Sequence, residues 1–136
     1  MRTADRGNVL VLDGGDGRVR WEVPAALRGM GASVRLGDLD GDGRDDLYLG
    51  ECVRNPVAAV ALSFRAGYAS PQELWRMAPL PDACGTNADV LGDLDGDGAP
   101  ELVMALGYNH LRVFSGRTGA LFYDLIKTTV MRLAFT

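Results

Sequence analysis

The sequence predicts an all-β protein built from antiparallel four-stranded units that follow one another along the chain. Three observations support this fold class. The heptapeptide Gly-Asp-Leu-Asp-Gly-Asp-Gly occurs twice, at 37–43 and 92–98, and the two copies lie 55 residues apart. An apolar hairpin pattern centred on glycine recurs on both sides of these copies. Short apolar runs of strand length separate the repeated features and leave little room for helix.

The length and composition are those of one ordinary globular domain. The chain has 136 residues, of which 47% are hydrophobic, so it can bury a core of normal proportion. The net charge is −4, and half of the 18 acids fall in or beside the two heptapeptides. Basic residues are scattered, which argues against nucleic-acid binding. No apolar run approaches the roughly 18 residues of a membrane span, and the first residues lack the apolar segment of a signal peptide.

The hairpin pattern is clearest in two segments of the same design. Residues 9–21 and 111–123 are each apolar, turn on glycines and become apolar again, as expected of a β-hairpin with a short glycine-containing loop. A third, degenerate copy between them ends near Trp75. Trp21 and Tyr123 occupy similar places in the other two hairpins, which favours a shared packing role over stacking on sugars.

Each heptapeptide lies between two predicted strands, so an acidic loop and the hairpin after it make one four-stranded unit. The flanking strands are 33–36 and 46–49 around the first loop, and 88–91 and 101–106 around the second. The predicted division is a half-unit at 8–23, a unit with the first loop at 32–78, a unit with the second loop at 87–125, and the start of a further unit at 126–136. Residues 24–30 are the best place for a single helical turn.

Four-stranded units of this length in series are typical of a β-propeller, in which each blade buries its faces against the neighbouring blades. A ring needs about four to eight blades, and this chain supplies two blades and two partial ones. We therefore expect the chain to be a fragment of a longer protein. The alternatives are that it assembles with copies of itself through its half-blades, or that it forms an open stack.

The acidic loops place carboxylates at positions one, three, five and nine, counted from the first aspartate. These are Asp38, Asp40, Asp42 and Asp46 in the first loop, and Asp93, Asp95, Asp97 and Glu101 in the second. Glycine at position six permits a sharp turn, and position seven, Arg44 or Ala99, can offer its carbonyl oxygen. Hard oxygens so close together repel one another unless a cation lies among them, and Ca²⁺ suits such a flexible oxygen site better than Mg²⁺. The sequence therefore predicts two Ca²⁺ sites.

Other functional interpretations of the polar residues have less support. An EF-hand loop begins in the same way, but Leu49 and Met104 replace its acid at position twelve, and strand-like alternation follows. His110 is the only histidine, and no serine lies in a Gly-x-Ser-x-Gly setting, so hydrolase chemistry is not indicated. Cys52 and Cys84 permit one disulfide and also suit two half-buried thiols. The chain itself is predicted to be non-enzymatic.

The loops and the repeat period together resemble FG-GAP/VCBS repeats of the integrin-α N-terminal propeller type, over about residues 8–125. In that family the pattern Asp-x-Asp-x-Asp-Gly-x-x-Asp lies between the first two strands of a blade and binds Ca²⁺. The resemblance implies that the eight carboxylates and the carbonyl oxygens of Arg44 and Ala99 are the metal ligands. Two features depart from the family. Glu101 replaces the usual aspartate, and the Phe-Gly and Gly-Ala-Pro signatures are not clear, since the one Gly-Ala-Pro falls inside the second loop.

The resemblance also implies a function, a calcium-stabilised structural and interaction module comparable to adhesion domains, with a protein or glycan partner. Extracellular modules commonly bind Ca²⁺ at roughly 10⁻⁴ to 10⁻³ M, so we expect an extracellular, cell-surface or periplasmic location; the lack of a leader in this chain is the main argument against it. Similar propellers are accessory parts of some lyases and lipases. There are therefore two competing hypotheses. In one, the chain is part of a propeller enzyme, such as a polysaccharide lyase. In the other, it is a self-assembling piece of a propeller.

Overall fold

The computed structural model of the chain describes residues 10–22, 33–50, 59–78, 87–106 and 110–126. These residues form ten β-strands joined by turns and loops, and none of them is helical. The strands are β1 (Leu10–Leu12), β2 (Val19–Glu22), β3 (Ser33–Gly37), β4 (Asp46–Gly50), β5 (Ala59–Ser63), β6 (Gln72–Met77), β7 (Asn87–Val90), β8 (Glu101–Leu106), β9 (His110–Ser115) and β10 (Leu121–Ile126). The predicted all-β class is confirmed.

The strands form one hairpin and two four-stranded sheets. β1 pairs with β2, β3 to β6 make one sheet in chain order, and β7 to β10 make another in the same way. Every paired strand runs antiparallel to its neighbour. Two such meanders in series are blades of a β-propeller, and we call them the first blade (β3–β6) and the second blade (β7–β10).

The central strands of the first blade are buried on both faces. All five residues of β4 and all five of β5 are buried, because the sheet has a layer on each side. One face carries Leu47, Leu49, Val60, Leu62 and Phe64, and Val11 and Trp21 of the β1–β2 hairpin pack against it. A strand without a solvent side needs no polar alternation, which explains the nearly continuous apolar runs of β4 and β5.

The other face of the first blade packs against the second blade. The cluster between them contains Leu39, Tyr48, Ala59, Ala61, Trp75, Ala88, Leu102, Met104 and Phe114. Trp75 also donates a hydrogen bond from Nε1 to the carbonyl of Gly116, at 2.6 Å. A Cβ on Gly119 would lie 2.7 Å from the Trp75 ring, and the φ of Gly119 is 70°. Glycine is therefore required at this position for both space and backbone conformation.

The three aromatic residues at equivalent hairpin positions differ in burial. Trp75 is 8% exposed within the interface between the blades, and Trp21 packs edge-on against Phe64 with ring centroids 5.7 Å apart. The predicted packing role is confirmed for both tryptophans. Tyr123 is 57% exposed, because no sheet of the described residues covers its side of the second blade.

Three sequence-based predictions fall outside the described ranges. These are the helical turn at 24–30, the pairing of Cys52 with Cys84, and the strand predicted after residue 126. Within the described ranges, no helix has the length and apolar character needed to cross a membrane.

Candidate metal centres

Each acidic loop connects the first two strands of its blade. The first loop joins β3 to β4, and the second joins β7 to β8. Positions four and six of both loops have φ between 76° and 88°, at Gly41, Gly43, Gly96 and Gly98. Only glycine adopts this left-handed backbone readily, so these glycines allow the chain to turn tightly around the carboxylates. The residues after each loop form strands, which confirms that the loops are not EF-hands.

Backbone amides hold the carboxylates of the first loop inside the turn. Asp38 accepts hydrogen bonds through both oxygens, from the amides of Asp42 and Gly43, each at 2.8 Å. Asp40 Oδ1 accepts a hydrogen bond from the Asp42 amide at 3.0 Å, and Asp42 Oδ1 accepts one from the Arg44 amide at 2.9 Å. The three aspartates each place one carboxylate oxygen in a common group, and these three oxygens all lie within 4.8 Å of one another.

The second loop repeats this network. Asp93 accepts hydrogen bonds from two loop amides, at 2.6 and 2.9 Å. Asp95 and Asp97 each accept one from the amide two residues further on, at 2.9 and 2.8 Å. Here four carboxylates converge, because one oxygen of Glu101 and one of each aspartate lie within 4.8 Å of one another.

The acid at position nine is the first residue of the second strand, and it is buried in both loops. Asp46 and Glu101 are each 0% exposed. Asp46 Oδ2 accepts a hydrogen bond from the Asp40 amide at 3.1 Å, and Glu101 Oε2 accepts one from the Leu94 amide at 2.5 Å. The remaining oxygens, Asp46 Oδ1 and Glu101 Oε1, are buried and have no hydrogen-bond partner among the described residues. Burial raises the pKa of both carboxyls, and neighbouring loop aspartates act in the same direction, whereas the Ser63 hydroxyl lowers the pKa of Asp46.

Seven of the eight predicted carboxylates thus belong to a converging group. Asp46 lies outside the group of the first loop; its side chain is one methylene shorter than that of Glu101, which does belong to its group. Arg44 and Ala99 stand at position seven and donate their amides into the loops, while their carbonyl oxygens remain predicted ligands. Asp45 is exposed beside the buried Asp46, as expected of neighbouring residues that point to opposite sides.

Sequence reasoning missed an arginine at the first loop. Arg65 lies two residues after Ser63, which ends the third strand of the first blade. Its Nε lies 2.9 Å from Asp42 Oδ2, and its Nη2 lies 3.2 Å from Asp40 Oδ2. The Arg65 guanidinium holds the pKa of Asp42 below its usual range. One guanidinium therefore bridges two of the predicted metal ligands.

An arginine at the equivalent place in the second blade contacts the second loop. Arg117 lies two residues after Ser115, and this shared Ser-x-Arg spacing was the only sequence signal for either arginine. Its Nε lies 3.5 Å from Asp97 Oδ2, and its Nη2 donates a hydrogen bond to the Asp97 carbonyl at 2.9 Å. A Cβ on Gly41 would lie 3.0 Å from that Nη2 and 2.5 Å from the Gly98 carbonyl oxygen. The two acidic loops are therefore in contact with each other.

The donor set suits a hard divalent cation. Residues 37–46 and 92–101 contain carboxylates and backbone oxygens but no cysteine or histidine, and oxygen-rich sites with adaptable geometry are those that Ca²⁺ prefers. A cation among the carboxylates would also offer a partner to the two buried oxygens that have none. The residues present therefore fit Ca²⁺.

Comparison with protein families bears on the same segment. Residues 30–51 match the family model of the FG-GAP repeat. The chain contains an FG-GAP repeat. The matched residues include β3, the first acidic loop and β4, so the resemblance inferred from the sequence is confirmed there. An FG-GAP repeat is a structural repeat of β-propellers and is not enzymatic by itself. No curated protein gives a significant match to the chain.

Proposed function

We propose that each acidic loop binds one Ca²⁺ ion and that this FG-GAP repeat segment is a calcium-stabilised structural and interaction module. The observation that carries the proposal is the pair of buried oxygens, Asp46 Oδ1 and Glu101 Oε1, which lack partners within the described structure. A buried acceptor left unpaired costs about 1–3 kcal/mol, and more when it is charged. The same unpaired oxygen occurs in both loops. This repetition supports the same kind of ligand at each loop and argues against two unrelated packing defects.

Electrostatic repulsion among the loop aspartates supports the same conclusion. In the second loop four carboxylates place oxygens within 4.8 Å of one another, and like charges so close destabilise the fold unless they are neutralised. Four carboxylates and one carbonyl leave room for water or bidentate binding within the roughly six to eight ligands of Ca²⁺. Mg²⁺ prefers a strict octahedron and holds its own water, so we expect it to bind more weakly.

The role of the ions in this proposal is to fix local structure. Each ion would tie an acidic loop to the first residue of the following strand, Asp46 of β4 or Glu101 of β8. Because the two loops touch, the ions would brace the same end of both blades. Metal binding at such a site contributes to folding stability. The braced surface would then engage a protein or glycan partner outside the cytoplasm, where Ca²⁺ is near millimolar and sites of about 10⁻⁴ to 10⁻³ M are filled.

The same proposal includes the arrangement of the blades. We infer that 32–78 and 87–125 are two blades of a larger propeller, that 8–23 belongs to a preceding blade, and that 126–136 begins a following one. The packing of the β1–β2 hairpin on the outer face of the first blade supports this arrangement, because it places the hairpin where a preceding blade would lie.

Calorimetric titration of Ca²⁺ into chelator-stripped protein tests the calcium assignment. We expect two binding events in the wild-type chain, with one lost in Asp38→Ala and the other lost in Asp93→Ala. Asp45→Ala is the matched control, since it removes an exposed carboxylate of the first loop that we do not place among the ligands. Mg²⁺ at the same concentrations should give weaker binding.

Two results would overturn the proposal. The first is the absence of binding heat in folded wild-type protein at millimolar Ca²⁺. The second is an equal loss of binding in Asp45→Ala and Asp38→Ala, since that would show a general attraction to negative charge rather than coordination at a defined site.

A further inference from the structure

In the first loop the carboxylates already have a cationic partner within the chain. Asp40 and Asp42 each use Oδ1 to accept a backbone hydrogen bond and Oδ2 to accept one from Arg65. The side chains of these aspartates are only 9% and 10% exposed. Since little water reaches them, the guanidinium is the main neutralising group for this pair of carboxylates.

The second loop has no comparable bridge. Arg117 reaches only Asp97, with Nε 3.5 Å from Oδ2, and its Nη2 binds a carbonyl oxygen instead. Within the part of the chain that the structure describes, Asp95 forms no ion pair with an arginine. Asp97 is also 34% exposed, so water screens its charge more than it screens those of Asp40 and Asp42.

We propose that Arg65 is an internal competitor of the metal ion, a guanidinium that must leave Asp40 and Asp42 before the first loop can bind Ca²⁺. The inference rests on the proposed calcium function of the loops. It assigns the chain two unequal sites. The second loop binds Ca²⁺ without displacing a side chain, whereas the first loop exchanges one cation for another.

Two observations favour exchange of Arg65 for Ca²⁺ over binding of both cations at the same time: the charge of the guanidinium and the exposure of the Arg65 side chain. A Ca²⁺ ion among Asp38, Asp40 and Asp42 would repel a guanidinium paired with two of the same carboxylates. Arg65 is 60% exposed, so it can move into solvent without breaking a packed core. The ion pair is open to solvent on its arginine side, which weakens it, so the loss of its two contacts corresponds to about three- to tenfold in a binding constant.

Titration of a single-site protein measures this competition. Asp93→Ala should abolish Ca²⁺ binding at the second loop, so the binding heat of this variant comes from the first loop alone. Adding Arg65→Gln to this background should tighten Ca²⁺ binding about three- to tenfold. Arg65→Lys keeps the charge but loses the planar fork that spans two carboxylates, and we expect its affinity to lie between those of the parent and Arg65→Gln.

Arg76→Gln in the same background is the matched control. Arg76 is an exposed arginine of β6 that pairs with Glu73 in the same blade, so this variant makes the same change in net charge away from the loop. Its Ca²⁺ affinity should stay within about twofold of the parent. Equal tightening in Arg76→Gln and Arg65→Gln would show a general charge effect and would overturn the assignment to Arg65.

The outcomes separate this inference from the calcium function itself. Ca²⁺ binding that is unchanged or weakened by Arg65→Gln would overturn the competition and would assign Arg65 to positioning the aspartates. Absence of binding in both the parent and Arg65→Gln, with circular dichroism showing folded protein, would overturn the calcium function of the first loop and this inference with it. Binding that occurs only in Arg65→Gln would confirm that the guanidinium occupies the site.

Discussion

The first acidic loop is enclosed by its surroundings, whereas the second loop, with the same heptapeptide, is largely exposed. At position two, Leu39 is 0% exposed and Leu94 is 55% exposed. Leu39 belongs to the cluster between the blades, while no described sheet packs over Leu94. The neighbouring blade therefore sets the environment of each loop, although the two loops have the same local sequence.

Other features of the loops are shared because they depend on local sequence. Both loops have glycines of positive φ at positions four and six, aspartates that accept hydrogen bonds from loop amides, and a buried acid at position nine with one unpaired oxygen. The differences arise between elements far apart in the chain. Arg65 bridges two aspartates of the first loop, and Arg117 touches only Asp97 in the second. The comparison teaches that a repeated binding motif can yield unequal sites when its neighbours differ.

The two loops should differ most in how much the leucine at position two contributes to the stability of the fold. Leu39→Ala should lower the free energy of unfolding by about 3 kcal/mol, because it leaves a cavity between the blades. Leu94→Ala should change it by about 0.5 kcal/mol or less, since exposed side chains contribute little. Urea unfolding of both variants with chelator present measures the difference. Equal losses would mean that a further part of the chain covers Leu94 as the second blade covers Leu39.

The two loops should differ less in the stability lost when the glycine at position four is replaced by alanine. Gly96→Ala should cost about 1 kcal/mol, since its φ of 81° is unfavourable for alanine but a Cβ there meets no atom within 4 Å. Gly41→Ala should cost about 2–3 kcal/mol, because its Cβ would also meet the Gly98 carbonyl oxygen at 2.5 Å. Thermal unfolding of the two variants tests this. The same loss in both would show that the loops do not press against each other.

The smallest difference between the two loops is expected for the acids at position nine, and it should depend on Ca²⁺. Without the ion, Glu101→Gln should stabilise the fold by about 1 kcal/mol, because it removes the one buried charge of the four mutually repelling carboxylates. Asp46→Asn should stabilise it less, since Arg65 already neutralises part of the first loop. Each variant should lose the stabilisation that Ca²⁺ gives at its own loop. Urea unfolding with and without Ca²⁺ measures both quantities.

One result would contradict this account of position nine. If both variants were less stable than wild type with chelator, and Ca²⁺ stabilised them as much as it stabilises wild type, the buried acids would be hydrogen-bond acceptors for the loop amides alone. A matched measurement on Asp45→Asn, which changes an exposed acid of the first loop, separates effects of net charge from effects of position.

Local pattern was enough to predict the strands and the loops. The alternation of apolar residues and the position of glycines predicted strands on both sides of each heptapeptide, and β4 and β8 begin at the expected residues, Asp46 and Glu101. The spacing of the aspartates predicted that they converge, because a tight turn brings alternate side chains to one point. These are properties of fewer than a dozen neighbouring residues, which the sequence displays directly.

The sequence by itself determined the all-β class, the two acidic loops and the carboxylates available to a cation. Only the tertiary structure decided which loop is enclosed, which carboxylates Arg65 bridges and that Gly41 lies against Gly98. Arg65 is separated from Asp42 by the whole of β4 and β5, so their contact depends on how the strands pair. The contact between the loops depends on how one blade packs on the next. Such long-range contacts follow from the summed packing of the sheets, and no short sequence pattern encodes them.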